Sequence, residues 1–401
     1  MRRLLPFILA LSLFQACQNQ TNTTESITDT STFAYDYTQL KAHTPLILLE
    51  DGDRKVLLAE AYQGRVMTST AAGMEGSSYG WINHDLISKG EYQPHINAFG
   101  GEERFWLGPE GGQYALYFKK GDPFDLPHWQ TPGAIDTMTY PAVDKNKSKD
   151  RALFVKSFSL ENYAGTRFDL KVERQIRLLS EKEASDLLQV PLNAVKWVAY
   201  ESDNKVSNTG QEDWDKSKGV LSIWLLGMLK ASPAQVVMLP FKAGGSTLVN
   251  DAYFGKIAAN RLIKKDSVLF FKGDAKSRGK IGIPPAIVKP LAGSYDAEKG
   301  TLTILRFSYA GDTAYVNSMW EIQRYPYRGD VVNTYNDGPN DKGEQMGAFY
   351  ELETSSPALV LKKGGAYRHV QQTFHFEGKA SDLNVISKHV LGVELSQVPR
   401  L

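Results

Sequence analysis

Residues 167–178, RFDLKVERQIRL, place Phe168, Leu170, Val172, Ile176 and Leu178 on one side at a spacing of two, with Arg174 interrupting the apolar row. Alternation at period two marks a half-buried strand, because successive side chains of a strand point to opposite faces. Strand-like runs recur at 56–61, 65–70, 113–118, 153–160, 195–200, 220–229, 301–307, 320–325, 349–353 and 367–376, most of them separated by Gly, Asn, Asp or Pro. Helical signals are few. SEKEASDLL opens on a capping box, Ser180 with Glu183, and SDLNVISKHVLG runs from a Ser381 cap to Gly392. Many strands with few short helices predict an all-β chain built as a large antiparallel sandwich.

The first residues depart from this pattern. MRRLLPFILALSLFQAC has a basic start and an apolar core from Leu4 to Phe14, too short to span a bilayer, and reads as an export signal. Cys17 follows Ala16 and precedes a polar run too poor in apolar residues to pack. This resembles the lipobox of bacterial lipoproteins, which implies a signal peptide over 1–17, lipidation at Cys17, a flexible tether over 18–32 and a folded domain over 33–401. The alternative is a plain secretory signal with a chance cysteine. The expected location is the cell envelope, as a periplasm-facing or surface-exposed lipoprotein. Gln18 and Asn19 favour the outer membrane.

Composition narrows the function. The chain has 401 residues, 42% apolar and 23% charged, with a net charge of +1. Without a basic patch there is no electrostatic source for nucleic-acid binding. One cysteine rules out an internal disulfide, and no CxxC, HExxH, GxSxG or phosphate-cradling glycine loop occurs. YNDGPNDKGE offers hard oxygen donors, with Asp337 and Asp341 as a candidate Ca2+ site. An ordinary acidic turn is the simpler reading, so no cofactor is expected. A monomer is expected, with the membrane reached only through the lipid anchor.

Arg104 is the strongest binding candidate. Gly100 and Gly101 before it let the backbone pass close to a ligand, and its planar fork suits paired hydroxyls or a carboxylate. Trp106 and Trp129 offer apolar faces on which a ligand can stack. The alternative is a salt bridge from Arg104 to Glu102, Glu103 or Glu110, with both tryptophans in the core.

The stretch FYELETSSPALVLKKGGAYRHVQQTFHF resembles the C-terminal part of the galactose mutarotase-like superfamily, the aldose 1-epimerases and their relatives. The resemblance rests on Leu352, Glu353, Thr354, Pro357, Leu361, Gly365, Tyr367, Thr373 and Phe376. VLLAEAYQGRVMTSTA is similar to the family's opening strands, and NAFGGEERFWLGPEGG to the element that brings an arginine into the sugar site. It implies a β-supersandwich with a carbohydrate-binding face, Glu353 as catalytic base, and Arg104 with neighbouring Glu103 at the substrate. The family's acid is a histidine on a central strand, but no histidine occurs between Val206 and Leu229, and Trp224 falls near its place. His128 is the substitute candidate for catalysis, with His95 and His375 as further site candidates. Two readings stay open: an epimerase-like or other carbohydrate-active enzyme, and a non-catalytic carbohydrate-binding lipoprotein that has lost the acid.

Overall fold

A computed structural model describes residues 29–143, 148–340 and 342–401. Cys17, the signal and Asp341 lie outside the described residues, so the lipidation and the paired calcium site find neither support nor contradiction there. The chain enters through helix α1 (Phe33–Lys41), whose first turn is capped by the Thr32 hydroxyl. The other helices are α2 (His84–Lys89), α3 (Gly133–Asp136), α4 (Glu181–Leu188) and α5 (Ala380–Val390).

Strands dominate. β1 (Leu46–Asp51), β2 (Arg54–Ala59) and β3 (Arg65–Thr70) form a three-stranded sheet. Further along come β4 (Arg104–Gly108), β5 (Arg151–Glu161), β6 (Arg167–Leu178), β7 (Lys196–Asn208), β8 (Ser222–Lys230) and β9 (Gln235–Pro240). After them follow β10 (Leu262–Lys264), β11 (Val268–Lys272), β12 (Gly279–Ile283), β13 (Leu291–Asp296) and β14 (Thr301–Phe307). The last are β15 (Val332–Asn336), β16 (Phe349–Ser355) and β17 (Ala366–Glu377). A nine-stranded sheet runs β10-β11-β9-β13-β14-β17-β7-β6-β5 and a five-stranded sheet runs β12-β15-β16-β8-β4, with antiparallel pairing throughout. The protein is a large antiparallel β-sandwich.

Alternation assigns the faces. Ile281, Val332, Tyr350 and Leu352 of the five-stranded sheet pack against Val237, Leu239, Phe271 and Leu305 of the nine-stranded one. The far side of the nine-stranded sheet sends Phe374, Phe376, Ile304 and Met238 under α4 and α5, through Leu188, Leu383 and Ile386. The outer side of the five-stranded sheet is left to carry a site.

The interface between the two large sheets also holds polar groups. Arg174, the break in the β6 apolar row, is fully buried and pairs with Glu103 at 2.8 Å, while Gln371 donates to the same carboxylate. Its other donors reach the Gly64 carbonyl and Asn204. A charge in an apolar row thus reads as a buried ion pair rather than a strand end.

Strand positions 65–70 and 167–178 match the observed bounds, and α4 carries the expected capping box, with the Ser180 hydroxyl accepting from the Glu183 N–H and the Glu183 carboxylate reaching back. Ser180→Ala should cost about 1 kcal/mol of stability, read as a lower denaturation midpoint. α5 starts near the expected place, with Lys379 rather than Ser381 at its cap. Two expected strands are loops: 113–118 and 320–325 lie outside all strands. Their apolar residues are spaced for an aromatic wall, with Phe118 against Trp320 and Tyr117 against Trp129.

Candidate functional site

Register across the five-stranded sheet builds the site floor. Arg104 lies opposite Leu226, Leu226 opposite Glu353, and Glu353 opposite Asn333. The next row is Met228, Glu351, Tyr335 and Lys280, and Trp106 lies opposite Trp224. All these side chains belong to the outer face, because the residues between them supply the core. Loops carrying His95, Glu110, Trp129, Phe254, Trp320 and Gln345 rise around this floor and enclose a cleft of about 390 Å³. That volume lies within the usual range for small-molecule sites.

Of the residues expected from sequence, Arg104, Trp106, Trp129 and His95 line the cleft. Trp106 and Trp129 are buried as well as cleft-lining, and their indole N–H groups have no hydrogen-bond partner. Arg104 does form an ion pair, but with Glu351 rather than Glu102, Glu103 or Glu110, and its guanidinium lies 4.7 Å from the Trp106 ring centre. Gly100 and Gly101 have φ of 88° and 112°, as glycine permits. The close approach they allow is to other parts of the chain: a Cβ on Gly100 would lie 2.1 Å from the Trp81 carbonyl oxygen, and one on Gly101 2.7 Å from Arg65.

Four expected site residues sit elsewhere. Glu353 is fully buried beneath the cleft, its Oε2 accepting from the Trp224 indole and the Lys280 ammonium, both at 2.9 Å, while its Oε1 has no partner. Trp224, which stands in the stretch without a histidine, therefore packs directly against the carboxylate. His128 is exposed in a turn and pairs with Asp125, three residues before it. Glu103 points to the opposite side of the sheet from Arg104, toward Arg174, as neighbours on a strand must. His375 is fully buried between Thr303 and Glu102 and stacks on Tyr79, so it belongs to the sandwich interior. Both Asp337 oxygens are engaged locally, by the Tyr335 hydroxyl at 2.7 Å and the Gly347 N–H at 2.8 Å. Among the described residues no three His, Cys, Asp or Glu side chains are grouped to hold a metal.

Among the cleft residues not singled out for a ligand or catalytic role from sequence are Glu351, Glu110, Lys280, Arg278 and Trp320. Glu351 was legible in principle, because it lies two positions before Glu353 and so shares its face. Lys280 and Trp320 carry no local signal. The electrostatics centre on Lys280. Burial disfavours its charge, yet Glu353, Glu110 and Glu351 together hold the ammonium above its ordinary pKa. Burial pushes Glu110 up, with Lys280 opposing and Glu353 adding to the rise, and the Trp320 indole donates to it. Burial also pushes Glu351 up, to about 8; Arg104 opposes this and Glu353 reinforces it. The buried carboxyl groups Glu351, Glu353 and Glu110 thus sit among three cations, Arg104, Lys280 and Arg278, and their protonation is linked.

His95 adds a group of different chemistry. Its Nδ1 lies 2.7 Å from the Trp129 carbonyl oxygen, which can only accept, so the proton of the neutral ring sits on Nδ1. Nε2 is left as a free acceptor in a residue that lines the cleft.

The architecture recurs in solved structures. The Slr1438 protein from Synechocystis is 10% identical, with a TM-score of 0.51 over 84% of this chain and 96% of that one, and shares the fold. A putative aldose 1-epimerase from Escherichia coli is 11% identical, with a TM-score of 0.49 over 84% of this chain and 100% of its own. A galactose mutarotase-like protein from Lactobacillus casei is 10% identical, with a TM-score of 0.47 over 83% and 99%. No curated protein matches the sequence. A single sequence family matches residues 31–401, nearly the whole of the sandwich-forming chain, and the protein belongs to it: DUF6786, a family of unknown function.

Proposed function

We propose that the protein is a carbohydrate-active enzyme that interconverts the anomers of a sugar by acid and base. The observation that carries this reading is the placement of Glu351, a carboxyl whose pKa burial raises, in the same cleft as His95, whose Nδ1 is held by a backbone carbonyl, with tryptophan faces beside them. Nε2 of His95 takes the proton of the anomeric hydroxyl as the C1 carbonyl forms and the bond from C1 to the ring oxygen breaks. The ring oxygen takes the proton of Glu351. Rotation about the C1–C2 bond and the reverse transfers close the other anomer, so no atom or electron is gained or lost. Arg104, paired with Glu351, and Lys280 stabilise charge on the oxygens.

The sequestered Glu353 favours a second reading, a carbohydrate-binding protein without turnover, since the family-like base is already held by Trp224 and Lys280. The two are separated by following the relaxation of freshly dissolved α-anomers of hexoses by polarimetry or NMR. Catalysis above the buffer rate supports the enzyme; saturable binding without acceleration of any anomer supports the binder. Because Glu351 must be protonated, the catalysed rate should fall as pH rises through about 8. The same group makes the folded chain bind a proton the unfolded chain has released. Its contribution to stability therefore declines between pH 4.5 and about 8. The cell-envelope location and lipid anchor at Cys17 belong to the same proposal and rest on residues 2–17.

A further inference from the structure

The cleft is longer in chemistry than one sugar ring requires. Its floor is charged, with Glu351, Arg104 and Lys280, and one wall carries Trp224, Trp106, Trp129 and Trp320, with buried Tyr117 joining the two middle rings from behind. Trp224 meets Trp106 at 5.6 Å between ring centres, Trp106 meets Tyr117 at 5.5 Å, Tyr117 lies parallel to Trp129 at 6.0 Å, and Trp129 stacks on Trp320 at 5.8 Å. This run starts beside Lys280, which sits 4.9 Å over Trp224, and ends at half-buried Trp320. Two exposed apolar side chains also line the cleft: Leu126 is 50% accessible, and Phe254, which carries Arg278 over its ring, is 47% accessible. Such residues at a cleft mouth mark a surface kept free for a ligand.

From this layout, and resting on the sugar-binding reading above, we infer that the substrate is an oligosaccharide of at least two residues. Its reducing-end ring lies over the charged floor, and its second ring stacks at the outer end of the wall, against Trp320. The occupant is a pyranose rather than an acyl chain because the outer cleft mixes polarity. Gln93, Asn340, Glu344 and Gln345 line it together with Leu126 and Met346. A pyranose presents an apolar face of C–H groups to an aromatic ring and hydroxyls at its edge, which this mixture matches. An acyl chain would set apolar groups against the charged floor of Glu351, Arg104 and Lys280.

The test is calorimetric titration of the full chain with glucose and galactose against maltose, cellobiose and lactose. The expected result is at least one disaccharide binding tenfold or more tightly than its component monosaccharides. In Trp320→Ala that ratio should fall to about one, and in Trp320→Phe, which keeps a ring, most of it should return. Monosaccharides and all disaccharides binding alike to the wild type would overturn the second subsite while leaving the sugar site standing. A disaccharide preference that survives Trp320→Ala in a protein with an unchanged melting curve would overturn the role of the wall. Failure of every saccharide to bind would overturn the sugar-binding reading itself, and the subsite with it.

Discussion

Glu351→Gln should lower the catalysed anomer interconversion by about 10² to 10⁴ while leaving sugar affinity within a few-fold, because the amide keeps the shape of the carboxyl and loses only its proton. The substitution removes the group with the most strongly raised carboxyl pKa in the cleft, so the alkaline fall of the rate near pH 8 should vanish from what activity remains. Glu353→Gln is the informative counterpart. Glu353 is fully buried and held by two donors, and its amide can still accept from the Trp224 indole. If Glu353→Gln abolishes turnover and Glu351→Gln does not, the proton passes through the buried carboxylate. Trp224 would then have to swing away during the reaction, and the role given to Glu351 would be wrong.

Glu103→Ala should destabilise the fold by about 3–5 kcal/mol, the range for removing one partner of a buried ion pair. The cost comes from Arg174, which is fully buried between the two large sheets and would keep its charge without a carboxylate. Urea titration should show a lower midpoint at an unchanged slope, and sugar affinity per folded molecule should stay near that of the wild type. Arg174→Met combined with Glu103→Leu should recover much of the loss, since a packed apolar pair replaces two buried charges. A small effect from Glu103→Ala alone, with sugar binding lost, would instead return Glu103 to the substrate site expected from its neighbour Arg104.

The strand pattern was legible wherever one face is buried and the other is wet. β6 alternates over its whole length, and its bounds follow from period two alone. β9 is buried on both faces, so its apolar run carries no alternation to read, and β12, GKIGI, is short and glycine-rich and gives no strand signal. Loops 113–118 and 320–325 misled for the converse reason. Trp320 lines the cleft and Phe118 and Tyr117 pack behind its tryptophans, an arrangement that local spacing does not distinguish from a strand.

The site divides along the same line. The chemistry of their types marked Arg104 and Trp106 for a ligand, although no strand was read at 104–108, and parity along β4 puts them on one face. Parity also carried the information that Glu351 shares a face with Glu353 and that Glu103 opposes Arg104, because side chains alternate by necessity. What parity cannot say is which face meets solvent, how deep a residue sits, or which distant strand lies beside it. Lys280 reaches Glu353 across 73 positions of sequence, and Trp224 reaches it across 129. Those contacts bury one carboxylate and leave another at the cleft, since depth and charge balance arise only when strands far apart in the chain are brought edge to edge.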